Sequence, residues 1–365
     1  MPHALQTIVA FLVVIGVLVF VHELGHYLAA RWRGVRVEVF SIGMGRRVVG
    51  FVDGHGTDWR ISAIPIGGYV RMTGQSDLAL DDEPQPPPVL SNRPSESFAD
   101  KSVASRAIVV AAGPLFNFVF AILVFAALYA IDGKPSDRPA VASVITPSAA
   151  ARAGLAAGDA ILSIDGKPVA HVADIPARVS GHPGEPIAIT VRRHGDVLTL
   201  SATPDAVLRG GHRVGQLGIE ITGGPPVRLG PTAALSAGVA TTIDISRQIV
   251  ANLWSIVTGH GGASNLGGTL RIAQVSGQAA SAGPATLAFF IAMISVNLGM
   301  VNLLPVPVLD GGNLVFFAIE ALLGRPLSKR ARLMGLQAGL ALIAGLILFT
   351  TFNDLNSFGV FRWAQ

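Results

Sequence analysis

Two histidines four residues apart, with a glutamate beside the first, stand near the far end of the first long apolar run: His22-Glu23-Leu24-Gly25-His26. On a helix, positions i and i+4 share a face, so both imidazoles reach one metal ion and Glu23 reaches a water beside it. The chemistry such a set performs is metal-assisted attack of water on a carbonyl. An ionisable cluster at membrane depth is expensive and marks a functional site by default. The plainer reading, two helix histidines hydrogen-bonded to neighbours, leaves polar groups in apolar surroundings at a cost. Zinc held by two histidines takes a third protein ligand and leaves a fourth position open. Nothing just after His26 supplies that ligand.

A second polar cluster at membrane depth reads Asn302-Leu303-Leu304-Pro305-Val306-Pro307-Val308-Leu309-Asp310-Gly311-Gly312. Its two prolines interrupt a helix, and its paired glycines permit close backbone approach. Broken helices at this depth persist only where protein or a water-filled cavity surrounds them. Alone, Asp310 reads as a turn aspartate after a span. Beside a two-histidine motif short of a ligand, it is the candidate for the missing place.

Composition indicates what must position these clusters. The 365 residues are 50% hydrophobic and 14% charged, with a mean hydropathy of +0.54. That points to a polytopic α-helical membrane protein with some soluble mass. A pI near 9.8 on a formal charge of +4 reads as membrane-flanking Arg and Lys; no basic run is interleaved with aromatics, so no nucleic-acid partner is expected. The absence of cysteine excludes disulfides and thiolate ligands. Four segments, near 5–30, 107–131, 285–304 and 334–352, are apolar enough to span a bilayer. The first is too long for a signal-peptide core and has no Lys or Arg before it. Arg31, Arg33 and Arg36, then Lys101 and Arg106, then Arg325, Lys329, Arg330 and Arg332 assign their loops to the cytoplasm. The region 132–284 then lies outside, and the histidine pair sits toward the cytoplasmic end of its span.

Between spans the pattern changes. After the first span (1–33), residues 34–73 alternate β-branched and polar side chains between Gly turns, which predicts a membrane-associated β-hairpin sheet. Residues 74–105, with Asp81-Asp82-Glu83 and Pro86-Pro87-Pro88, read as a cytoplasmic loop before the second span (106–131). Residues 132–224 read as a small α+β domain, with strands at 141–145, 160–164, 187–192 and 197–201. Residues 225–284 read as an amphipathic, interfacial region with Asp244 and Arg247 among apolar residues, followed by a glycine-rich stretch at 259–268. A third span with its Leu-Asp-Gly element (285–312), a cytoplasmic loop (313–333) and a fourth span with a tail (334–365) complete the order. No internal repeat stands out.

His-Glu-Leu-Gly-His in a first span, Gly113-Pro114-Leu115-Phe116-Asn117 in the second and Asn-Leu-Leu-Pro-Val-Pro-Val-Leu-Asp-Gly-Gly late in the chain together resemble the site-2 proteases, RseP-like intramembrane zinc metalloproteases of regulated intramembrane proteolysis and envelope stress. The resemblance covers nearly the whole chain. It implies His22, His26 and Asp310 as ligands to Zn2+ and Glu23 as the general base. It also implies that Asn302, Pro305 and Pro307 shape the substrate site, and that Asn117 either faces that site or packs one helix against another. The Ala153-Gly154-Leu155-Ala156-Ala157-Gly158-Asp159-Ala160-Ile161-Leu162-Ser163-Ile164-Asp165-Gly166 run is similar to protease-associated PDZ domains, and Leu217-Gly218-Ile219-Glu220 could return a strand to that sheet. The RseP-like arrangement has two tandem PDZ domains; this chain has room for one.

The partners implied are the lipid bilayer and single-span substrates, such as an anti-sigma factor already trimmed by a first cleavage; remnant signal peptides are a second class. The location implied is a bacterial inner membrane, with the PDZ domain extracytoplasmic. Two other readings compete: a metal-handling transporter, since intramembrane His, Glu and Asp also line ion pathways, and a non-catalytic PDZ scaffold.

Overall fold

The computed structural model describes residues 2–75, 96–172, 174–209, 212–259 and 267–357. The expected acidic and proline-rich loop, including Asp81 to Glu83 and Pro86 to Pro88, lies outside the described residues, as does most of the glycine-rich stretch. The chain forms two compact units, one of Met1–Ala127 with Ala234–Gln365 and one of Leu128–Ala233.

The first unit begins with α1 (Pro2–Trp32). Its end is set by Gly34 at φ +68. There the Gly34 N–H bonds the Arg31 carbonyl at 3.1 Å and the Val35 N–H bonds that of Ala30 at 2.8 Å, a left-handed cap that only glycine adopts without strain. Two long strands follow, β1 (Val37–Val52) and β2 (Asp58–Met72). Residues 37–42 pair with 68–72 on one side and, from Val39 on, with 58–61 on the other, while 47–52 pair with 58–62. Both strands therefore bend. At one bend Gly43 lies at φ +86, with a Cβ there overrunning the Ile64 and Ser62 carbonyls.

The sheet is pinned to α1 by aromatic packing. Phe40 stacks on Trp59 with centroids 4.3 Å apart, and Tyr27 of α1 meets both rings edge-on. Such pairs add about 0.5–1.5 kcal/mol each beyond their buried area. The turn between the strands is held by Asp53. It accepts from the N–H groups of His55 (2.8 Å) and Thr57 (2.9 Å), the Trp59 Nε1–H (3.0 Å) and the Tyr27 hydroxyl (3.3 Å). Burial pushes the Asp53 carboxyl up, but these donors outweigh it and bring it down to about 2.

Next come α2 (Val103–Ile131), α5 (Pro231–Val257), α6 (Thr269–Ala282), α7 (Pro284–Asn302), α8 (Asp310–Leu323) and α9 (Lys329–Ser357); α3 and α4 belong to the second unit. Among the described residues, four helices are long and apolar enough to cross a membrane: Ala4–Trp32, Val103–Ile131, Pro284–Asn302 and Lys329–Asn356. In the stretch read as one interfacial region, α5 and α6 are separate helices. α5 lies against α2 at Gly238, where a Cβ would strike the Ile122 carbonyl. α6 lies against α1, with Gly277 on Thr7 and Ala279 in a cluster with Val14, Leu18 and Phe290. Its start is capped from α9: the buried Asp354 carboxylate accepts from the Gly268 N–H at 3.0 Å and the Arg271 N–H at 3.1 Å. An anion at a helix N-terminus satisfies free N–H groups and complements the helix dipole.

The stretch 313–333, read as a loop, opens as most of α8. Leu314 and Phe317 face the core there, and the Glu320 carboxylate receives Arg106 of α2 in a two-pronged pair at 2.6 and 3.3 Å. A loop would leave those apolar side chains and that buried carboxylate without partners.

The second unit holds β3 (Lys134–Val144), α3 (Ala149–Arg152), β4 (Ala160–Ile164), β5 (Lys167–Pro168), α4 (Asp174–Val179), β6 (Ile187–Arg193), β7 (Asp196–Ala202), β8 (Asp205–Arg209), β9 (His212–Gln216) and β10 (Ile219–Val227). The main sheet has the order β10-β3-β4-β6-β7, with β5 beside β4 and β8-β9 as a separate hairpin. Period-two burial of Ile187, Ile189 and Val191 against Ile161 and Ile164 makes its core. Asp159 is fully buried and accepts from the Ala156 N–H (2.9 Å) and twice from Arg193 (2.7 and 2.6 Å). Burial pushes its carboxyl up, but the Arg193 guanidinium and the Ala156 N–H hold it below the usual range.

Candidate active site

α1 presents His22 and His26 one turn apart, their rings edge-to-face with centroids 4.8 Å apart. Asp310 arrives from the other end of the sequence as the first residue of α8. Its placement depends on the proline turn that follows α7. Val308 sits at φ +115, a region a β-branched residue rarely enters, so surrounding contacts hold the turn. Gly311 lies against the carbonyls of Leu303 and Leu304, Gly312 against Val306 and Pro307, and Gly339 of α9 against the Pro307 carbonyl. No position in that set has room for a Cβ.

The three ligand-type atoms form a small triangle. His22 Nε2 lies 3.1 Å and His26 Nε2 3.5 Å from Asp310 Oδ2, and the two Nε2 atoms are 3.3 Å apart. Zinc bonds of about 2.0–2.1 Å in a tetrahedron set neighbouring ligand atoms about 3.3–3.4 Å apart. The three separations straddle that value. Asp310 Oδ2 is buried and accepts no hydrogen bond of acceptable geometry despite its two nitrogen neighbours. An orphaned carboxylate oxygen facing two imidazole nitrogens is what a metal would satisfy. The donor set, two imidazoles and a carboxylate without thiolate, suits a hydrolytic zinc with an open position.

The histidines are held from behind by α2. His26 Nδ1 lies 2.9 Å from the Val109 carbonyl, to which it donates, so its Nε2 carries the lone pair. Gly113 leaves the space for the His26 ring; a Cβ there would overlap it. Asn117 lies 3.1 Å from His22 Nδ1 and is wholly buried. Nearer the helix start, Ser105 accepts from Arg33 at 2.7 Å. Residues 105, 109, 113 and 117 are four apart, one face of α2 meeting α1 in reverse order. Close approach is allowed at Gly25, where a Cβ would strike the Ala112 carbonyl.

Glu23 is nearly buried, beside β2 rather than solvent. Gly68 lies against its Cγ, and its carboxylate is turned toward the Val70 backbone. Among the remaining expected site residues, Asn302 closes α7 and is half-buried, Pro305 is exposed and Pro307 half-buried in the turn before Asp310. The structure thus brings together His22, His26, Asp310, Glu23 and Asn117, with the two prolines shaping the approach of Asp310. The Val109 carbonyl, Gly113 and the Gly68–Val70 backbone were not singled out for these contacts by motif; the four-residue spacing on α2 was the available signal.

Residues 10–346 match the sequence profile of Peptidase family M50. The chain is 41% identical over 360 residues to "Putative zinc metalloprotease Atu1380" of Agrobacterium fabrum, covering 96% of each protein. It is 40% identical over 360 residues to a protein of like description from Rhizobium meliloti, again covering 96% of each. With Metalloprotease MmpA of Caulobacter vibrioides it shares 36% identity over 387 residues, covering 98% of this chain and 97% of the relative.

Proposed function

Because the chain belongs to Peptidase family M50, a multi-pass membrane metalloprotease family, we propose that it is a zinc endopeptidase that cuts transmembrane segments of other proteins. The observation that carries this is the triangle of His22, His26 and Asp310 at tetrahedral-edge spacing, with Glu23 one residue from the first ligand. In this reading those three side chains hold the metal. Zinc, when bound, polarises the scissile carbonyl and lowers the pKa of water to about 7. Glu23 takes the proton of the attacking water and returns it to the leaving amine as the C–N bond breaks. Its burial against β2 keeps bulk water from that exchange.

A substrate helix hides its carbonyls in its own hydrogen bonds and must unwind before it is cut. Residues 68–72 form the strand nearest Glu23, paired on one side with 37–42. The unwound segment adds to this strand, main chain to main chain, which delivers its carbonyl to the centre. Asn302, at the end of α7, and Pro305 and Pro307, in the turn that leads to Asp310, shape the substrate site in this reading. The substrates are single-span proteins already shortened on their outer side, an anti-sigma factor being the type, with remnant signal peptides as the second class. The second unit is a single PDZ domain on the extracytoplasmic side of an inner membrane, and it excludes substrates that still carry bulky outer domains.

The test is zinc content and cleavage of a transmembrane reporter by purified wild type and Glu23→Gln. One zinc per chain in both, with cleavage reduced about 10²–10⁴-fold in the variant, is the expected result. A zinc-loaded Glu23→Gln protein that cleaves normally removes Glu23 from the mechanism.

A further inference from the structure

Asn117 has a place that its motif did not suggest. It lies midway along α2 with no exposed surface, so no substrate reaches it. Its side chain meets His22 Nδ1 at 3.1 Å, and its own backbone carbonyl accepts from the Ser295 hydroxyl of α7 at 2.9 Å. As placed, the amide nitrogen faces the imidazole, and the amide oxygen is buried with no hydrogen-bond partner.

That placement conflicts with the chemistry in front of it. If Asn117 donates to Nδ1, the His22 proton must sit on Nε2, the atom that points at Asp310. An imidazole nitrogen carrying a proton has no lone pair for a metal. A half-turn of the carboxamide exchanges the two ends at nearly the same positions, and the choice between them follows from the hydrogen-bond network. The oxygen then accepts from Nδ1–H at the same distance, the orphaned oxygen gains a donor, and Nε2 is left bare. His26 is already in this state, because the Val109 carbonyl accepts from its Nδ1.

We infer that Asn117 is a positioning residue: its amide oxygen accepts from His22 Nδ1–H, fixing the tautomer that exposes Nε2 as a zinc ligand. Two acceptors on one face of α2, the Val109 carbonyl and the Asn117 side chain eight residues on, thus do the same job for the two histidines. The backbone supplies one acceptor whatever the residue. The other depends on a side chain, and only that one can be removed by substitution. The inference rests on the zinc reading of the three-ligand site and adds the group that prepares it.

The experiment is chelator competition for zinc on the full-length protein in detergent, comparing wild type, Asn117→Ala, Asn117→Asp and Ser295→Ala. An outer partner of a metal-bound histidine is worth about 10–100-fold in metal affinity, so Asn117→Ala should weaken zinc by that factor. Asn117→Asp keeps an acceptor of nearly the same shape and should retain zinc as tightly as wild type. Ser295→Ala removes the hydrogen bond to the Asn117 backbone carbonyl and leaves the Asn117 side chain against His22, so it should leave affinity unchanged. Nitrogen-15 shifts of His22 should show a protonated Nδ1 in wild type and Asn117→Asp. Asn117→Ala binding zinc like wild type overturns the inference. So does equal loss in Asn117→Ala and Asn117→Asp, which would make Asn117 a packing residue. Wild type that takes up no zinc overturns the zinc reading and this inference together, an outcome distinct from zinc-replete wild type with an equally tight Asn117→Ala.

Discussion

At the scale of single residues, the site is defined as much by missing side chains as by present ones. His22, His26 and Asp310 supply the donors, but Gly113 supplies the room in which the His26 ring turns its Nε2 toward them. A methyl group there has no free volume, and the ring is the nearest thing to move. Gly113→Ala should therefore displace His26 from Val109, with zinc content falling well below one per chain while the protein still folds. Alanine is the better helix former by roughly 1 kcal/mol, so a lower melting temperature would trace to the displaced ring and not to helix propensity. Full zinc occupancy in Gly113→Ala would mean that the ring has another place to go.

At the scale of elements, the sheet beside Glu23 is the part whose role is easiest to test, because the chain has no cysteine. Cysteines introduced at Tyr69 or Arg71 in β2 are unique. Trapped on Glu23→Gln protein, a reporter scanned with single cysteines should crosslink at every second position, the period of a strand. Crosslinks recurring every three or four positions would mean the substrate stays helical, and strand addition would be wrong. The same elements show what the sequence makes legible. His22 and His26 fall on one face through local spacing alone, and the alternation in 34–73 announces strands. That Asp310 meets them is not local: it depends on a turn with Val308 at φ +115 and on glycines that fit only once α9 is in place. α8 was read as loop because the glycine pair and charged end hid a helix whose justification is tertiary, the Arg106–Glu320 pair and Phe317. Asn117 was read as facing the substrate or packing helices, because a motif gives proximity without direction.

At the scale of the whole molecule, the two units differ in the charges they bury. The helical unit buries Arg106 with Glu320 and Asp354 at the start of α6, whereas the second unit buries Asp159 with Arg193. Asp159 is held below its ordinary range, so it binds fewer protons folded than unfolded. Its contribution is complete above the unfolded carboxyl pKa of about 3.9 and is lost as pH falls through the folded value. Hydrogen exchange on the full chain should show residues 128–233 losing protection below about pH 4. Arg193→Gln should move that loss to higher pH, and an unchanged acid midpoint would remove the Asp159–Arg193 pair as its cause. A last consequence concerns time rather than space. The cap of α6 is Asp354, 86 residues downstream of Gly268. During synthesis the helix behind α1 is finished long before its cap exists. A nascent chain thus carries its histidines early, Asp310 much later and the cap of the helix behind α1 later still, so the histidine–aspartate centre is braced only once α9 is made.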